Sequence, residues 1–63
     1  MNVMNKIIEN INSQIRDNEI RKIDICRNTG MSKTTLWRIL TGRTDPTISQ
    51  IEKIQNYINS LNN

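Results

Sequence analysis

Isoleucine and leucine recur along the chain at helical spacing in four stretches separated by polar breaks. The first runs from Val3 to about Arg16: Val3, Ile7, Ile8, Ile11 and Ile15 form an apolar stripe, with Asn5, Lys6, Glu9, Asn10 and Asn12 between them. Ile7 and Ile8 are adjacent and cannot both point at one partner. One of them, with Val3 or Met4, is spare, either for a second subunit or as part of a frayed N-terminus. Asp17, Asn18 and Glu19 break the stripe and read as a connection, after which Ile20 packs inward ahead of a second helix.

That second helix spans about Lys22 to Asn28. It turns Ile25 and Cys26 toward the core and carries Asp24 in its first turn, where a carboxylate suits the helix dipole. Arg21 stands at the N-cap, a position its side chain serves poorly. Thr29, Gly30 and Met31 make a turn, in which Gly30 supplies the left-handed conformation that follows a helix and Met31 can pack across. Ser32 is a good N-cap for a third helix, Lys33 to about Thr41, which buries Leu36, Ile39 and Leu40 and ends on Gly42 as its C′ residue. Its remaining face (Lys33, Thr34, Trp37, Arg38 and Thr41) is polar apart from the indole, and should meet something other than the core.

Arg43, Thr44, Asp45 and Pro46 form a loop, because proline cannot lie deep in a helix. Thr47 and Gln50 have the spacing of a capping box, so a fourth helix begins near Ile48, with the stripe Ile48, Ile51, Ile54, Ile58 and Leu61. Tyr57 lies beside that stripe and, with Ile58 and Leu61, marks the expected dimer contact. Asn59 to Asn63 read as a frayed end. The expectation is an all-α, compact four-helix domain over residues 1–63.

Composition narrows the function. A chain of 63 residues forms one domain, and a domain of this size buries only about 60% of the surface its unfolded chain exposes, so a partner subunit would help it. Cys26 is alone and histidine is absent, which leaves no internal disulfide and no zinc-ligand set; Cys26 reads as a small buried apolar residue. No apolar run exceeds two residues, so neither a membrane span nor a secretory leader is expected, and the protein is placed in the cytoplasm. The net charge of +3 is unevenly spread: from Arg21 to Arg43 lie six cations against one anion, Asp24, while the rest of the chain has three cations and five anions. The excess therefore sits on the second and third helices and points to a polyanion, although a solvated basic face with no ligand has the same signature. The many asparagines and isoleucines fit an AT-rich bacterial or phage coding sequence.

The stretch from Lys22 to Gly42 has the outline of a helix-turn-helix. It resembles the Cro/phage-repressor type (the XRE family), whose pattern has a small residue in the second helix, glycine four positions later, then glycine-hydrophobic-serine opening the recognition helix. Cys26, Gly30, Met31 and Ser32 occupy those positions, and Leu36 and Ile39 the apolar slots that follow. Downstream, Gly42, a short basic loop and Pro46-Thr47-Ile48 leading into Ile51-Glu52-Lys53-Ile54 are similar to the family's tail. The resemblance covers nearly the whole chain and implies a lambda-repressor-like DNA-binding domain. Three departures stand out. The arginine and glutamate that pair between the first and third helices in many members align with Ile15 and Leu40, so an apolar contact replaces an ion pair. Arg21 fills the usual serine or threonine cap. The fifth helix common in the family has no counterpart here, which leaves the family's usual dimer surface open.

If the third helix enters a major groove, its N-terminal residues lie nearest the bases. Lys33, Thr34, Trp37 and Arg38 are then the base-reading set, with Arg38 suited to a bidentate guanine contact and threonine methyls to thymine. Trp37 has two readings: against sugar or a thymine methyl, or folded back over the second helix. Phosphate contacts fall to Arg21, Lys22, Ser32, Thr35, Arg43 and Thr44. The expected protein is a sequence-specific double-stranded-DNA-binding transcription regulator, a homodimeric repressor on a palindromic operator with half-sites about one helical turn apart. No cofactor, metal, membrane or small-molecule ligand is expected. The competing reading is a helical interaction module, such as an antirepressor or antitoxin, whose basic face binds an acidic protein. An enzyme is disfavoured by the absence of histidine, of paired carboxylates on one helical face and of a glycine-rich phosphate loop.

Overall fold

In the computed structural model, which describes residues 3–61, four helices follow one another: α1 (Val3–Asp17), α2 (Lys22–Thr29), α3 (Lys33–Leu40) and α4 (Ile48–Leu61). No strand occurs among the described residues. Backbones come close in four pairs, α1 with α3, α3 with α2, α2 with α4 and α4 with α1. The helices thus close a ring in which, among the described residues, α2 and α3 are the only consecutive pair in direct backbone contact. Two residues from each helix fill the ring: Ile11 and Ile15, Ile25 and Cys26, Leu36 and Leu40, Ile54 and Ile58. Ile7, Ile20, Met31, Ile51 and Tyr57 pack against this cluster from its margin. The radius of gyration of 10.8 Å is close to the roughly 11 Å of a compact chain of this length.

Local chemistry sets the helix ends. α4 opens on a complete capping box: the Thr47 amide donates to Gln50 Oε1 at 2.9 Å and the Gln50 amide to Thr47 Oγ1 at 3.1 Å. Ser32 caps α3 by accepting from the Thr35 amide at 3.1 Å. Gly30, at φ +77°, ends α2 with its amide on the Cys26 carbonyl. α3 ends in a Schellman motif: Gly42, also at φ +77°, donates to the Ile39 carbonyl, and Arg43 donates to the Arg38 carbonyl at 2.9 Å. α1 ends the same way without a glycine. Glu19 takes φ +52°, its amide bonds the Arg16 carbonyl, and the Ile20 amide bonds the Ile15 carbonyl at 2.9 Å. The break at residues 17–19 is therefore a folded left-handed cap, and Ile20 packs toward the cluster that holds Ile15.

The boundaries differ from the sequence expectation by a residue at several ends. Asp17 and Thr29 are helical; Thr29 Oγ1 donates to the Ile25 carbonyl at 2.6 Å, which keeps it in α2. α3 stops at Leu40, with Thr41 as its C-cap. Asn59–Leu61 continue α4, and residues 62 and 63 lie outside the described residues.

Three expectations about apolar positions need correction. Ile48 is 74% exposed and Leu61 50%, so the α4 stripe overruns the core at both ends; Val3, also 74% exposed, is spare from the core as the α1 pattern predicts. Ile58 is fully buried, and a side chain that fills its own protomer's core has no surface left for a dimer contact. Tyr57 is half-buried against the same core, which leaves Leu61 as the exposed member of the expected dimer set. Ile15 and Leu40 do share one apolar cluster. The brace between α1 and α3 also has a polar part: Asn12 Nδ2 donates to the Leu40 carbonyl at 2.9 Å, one of the carbonyls a helix end leaves unpaired. Between α4 and α1 two side chains meet: Gln55 Nε2 donates to Gln14 Oε1 at 3.0 Å.

Candidate nucleic-acid interface

The four residues expected to read bases, Lys33, Thr34, Trp37 and Arg38, are all exposed on α3. The fold brings them together because Leu36, Ile39 and Leu40 take the opposite side of the helix into the core. Thr41, on the same outward face, turns its hydroxyl back onto the Trp37 carbonyl at 2.7 Å and so has its donor engaged within its own helix.

Trp37 fits neither of its two sequence readings alone. With Lys22, Ile23, Cys26, Lys33 and Leu36 it lines a cleft of about 310 Å³ between α2 and α3, so the indole borders α2 without being buried against it. Trp37 stays 47% exposed and carries the Arg43 guanidinium, whose central carbon lies 4.7 Å from the ring centroid. Ile23, a wall of this cleft, had no assigned role from the sequence. Its signal was there: Ile23 and Ile25, two positions apart on a helix, cannot face the core together.

The six residues expected at phosphates are in different conditions. Lys22, Arg43 and Thr44 are exposed. Arg21 is exposed but engaged, its Nε at 3.0 Å from Asp24 Oδ2 and its Nη2 at 3.4 Å from Oδ1. An exposed pair of this kind contributes about 0–1 kcal/mol, so a phosphate could displace the carboxylate at little cost. Ser32 is spent within the cap, since its hydroxyl accepts from the Thr35 amide and donates to Thr35 Oγ1 at 2.9 Å. That leaves the Thr35 hydroxyl with its own proton to give, so of the two Thr35 is the better outward donor.

Electrostatically the face is one-sided. Lys22, Arg27, Lys33, Arg38 and Arg43 are exposed, and among the described residues none has a carboxylate within ion-pair distance; the ion pairs there are Arg21 with Asp24 and Arg16 with Asp17. At the start of α2 the Asp24 and Ile25 amides both bond the Arg21 carbonyl, while the amides of Lys22 and Ile23 have no acceptor among the described residues. An oriented helix start beside a lysine favours an anion. Among the described residues no cluster of three histidine, cysteine or acidic side chains could hold a metal, and no helix is long and apolar enough to cross a membrane. Comparison of the chain with protein-family models, with characterised proteins and with solved structures yields no match.

Proposed function

We propose that the protein is a sequence-specific double-stranded-DNA-binding transcription regulator with a lambda-repressor-like helix-turn-helix, a homodimeric repressor on a palindromic operator in a bacterial or phage-infected cell. The observation that carries this reading is the outward face of α3. Two cations without carboxylate partners, Lys33 and Arg38, and an exposed Thr34 project from a helix held against α2 by a three-residue turn. A helix presented in this way fits a major groove, with Lys33 and Thr34 leading and Arg38 one turn further on the same side as Thr34. Arg38 then forms a bidentate pair with guanine O6 and N7, and the Thr34 methyl meets a thymine methyl. Lys22 and the open amides of α2 hold a phosphate on one side of the helix, and the Arg43–Thr44 segment holds another beyond its C-terminus. Occlusion of polymerase is the mechanism that needs no further domain.

Electrophoretic mobility shift with the DNA upstream of the protein's own gene tests this reading. Arg38→Ala should weaken binding by about 10- to 100-fold and relax the preference at one base pair, with helicity unchanged because Arg38 is exposed. If both Arg38→Ala and Lys33→Ala bind as the wild type does, α3 is not the reading helix. Binding of an acidic protein in place of DNA would favour the interaction-module reading.

A further inference from the structure

The largest exposed apolar side chain on α3 stands in the middle of its cationic face, with an arginine from the next loop lying on it. Arg43 follows Gly42 in sequence and takes the C″ position of the Schellman motif that ends α3. The Arg43 amide is tied to the Arg38 carbonyl at 2.9 Å and the Thr44 amide to the same oxygen at 3.3 Å, which folds the loop back along the helix. Its guanidinium then sits 4.7 Å from the centroid of Trp37, with no carboxylate of the described residues in ion-pair distance. A cation–π contact of this kind takes up no hydrogen-bond acceptor, so the guanidinium N–H donors are left for another partner.

We propose that Trp37 is a positioning residue: its indole carries Arg43 and presents the edge of that guanidinium, already oriented, to a pair of acceptor oxygen or nitrogen atoms on DNA. The inference rests on the DNA-binding reading above. It moves Arg43 from the loop to the reading face and gives the indole a task that is neither packing nor base contact. The acceptor pair is a phosphate or the O6/N7 edge of guanine, which share the geometry a guanidinium fork matches. The gain comes from pre-orientation, since a free arginine loses rotamer freedom on binding and a stacked one has already lost much of it.

The test uses the full chain and a duplex recovered by the wild-type protein from a random-sequence pool. In the wild-type background Trp37→Ala should lower affinity about three- to tenfold, whereas in the Arg43→Ala background it should change affinity by less than about twofold. Trp37→Phe, which keeps a ring, should recover most of the loss. Trp37 is the sole tryptophan, so its emission reports the stack directly: Arg43→Ala should alter the emission of the free protein. For a phosphate acceptor Arg43→Ala lowers the salt slope of the dimer by about two, one contact from each protomer; for guanine it relaxes the preference at one position in each half-site. Equal losses from Trp37→Ala in both backgrounds, or an emission spectrum indifferent to Arg43→Ala, overturn the inference and leave DNA binding standing. Recovery of no duplex at all removes the DNA-binding reading and the inference with it.

Discussion

Glu19 offers the sharpest test of the backbone account. It takes φ +52° at the end of α1, the position at which α2 and α3 place Gly30 and Gly42, each at φ +77°. A left-handed conformation costs a residue with a Cβ about 1–2 kcal/mol, and glycine gives back about 0.5–1 kcal/mol through the greater entropy of its unfolded chain. The side chain of Glu19 is exposed and forms no ion pair or hydrogen bond, so its removal subtracts nothing else. Glu19→Gly should therefore stabilise the fold by about 0.5–1 kcal/mol, a rise of roughly 2–8 °C in Tm for a domain this small. Glu19→Ala, which removes the charge but keeps the Cβ, should stay within about 0.5 kcal/mol of wild type. Gly30→Ala should lose about 1 kcal/mol; its added Cβ would meet nothing within 4 Å, so that loss is conformational alone. Helical ellipticity followed through heat and urea measures all three, with an unchanged urea slope showing that only stability has moved. A Glu19→Gly variant no more stable than wild type would refute the left-handed cap at the end of α1.

Four further outcomes follow from the packing and the charged face. Asn12→Ala should cost about 1 kcal/mol in urea unfolding by stripping the Leu40 carbonyl of its partner, and Asn12→Asp, which has no donor to offer, should recover none of it. Ile58→Ala removes a fully buried side chain worth about 2–5 kcal/mol, comparable to all that the core of so small a domain supplies, so circular dichroism should find it largely unfolded. Leu61→Ala should keep wild-type stability, and if Leu61 does join two subunits, sedimentation should show weaker association without unfolding. With about four to six phosphate contacts per dimer, the logarithm of the DNA binding constant should fall with the logarithm of salt concentration at a slope of roughly −4 to −5; a flat slope contradicts an interface built on this cationic face.

Much of the fold was legible because it follows local rules. The isoleucine spacing gave the phase of each helix, Thr47 and Gln50 the start of α4, Ser32 the start of α3, and Gly30 and Gly42 the left-handed ends of α2 and α3. The cap at Glu19 was hidden because no glycine advertises it. Stripe phase also carries no information on extent: it says which side of a helix faces inward, and the core stops where neighbouring helices stop, which is why Ile48 and Leu61 emerge into solvent. The outward residues of α3 were readable by subtraction from its buried ones. Contacts that depend on how the chain folds back were not readable, whether Asn12 on the Leu40 carbonyl, 28 residues away, or Arg43 returned onto Trp37 by the turn at Gly42.

The central claim, that α3 reads DNA, is tested most directly by selecting bound duplexes from a random pool with the wild-type protein and with Arg38→Ala. The account predicts a palindrome with half-sites about one helical turn apart, containing a position at which guanine is strongly preferred by the wild type and no longer by the variant. A pool that shows no enrichment, or a motif that Arg38→Ala selects unchanged, would contradict it.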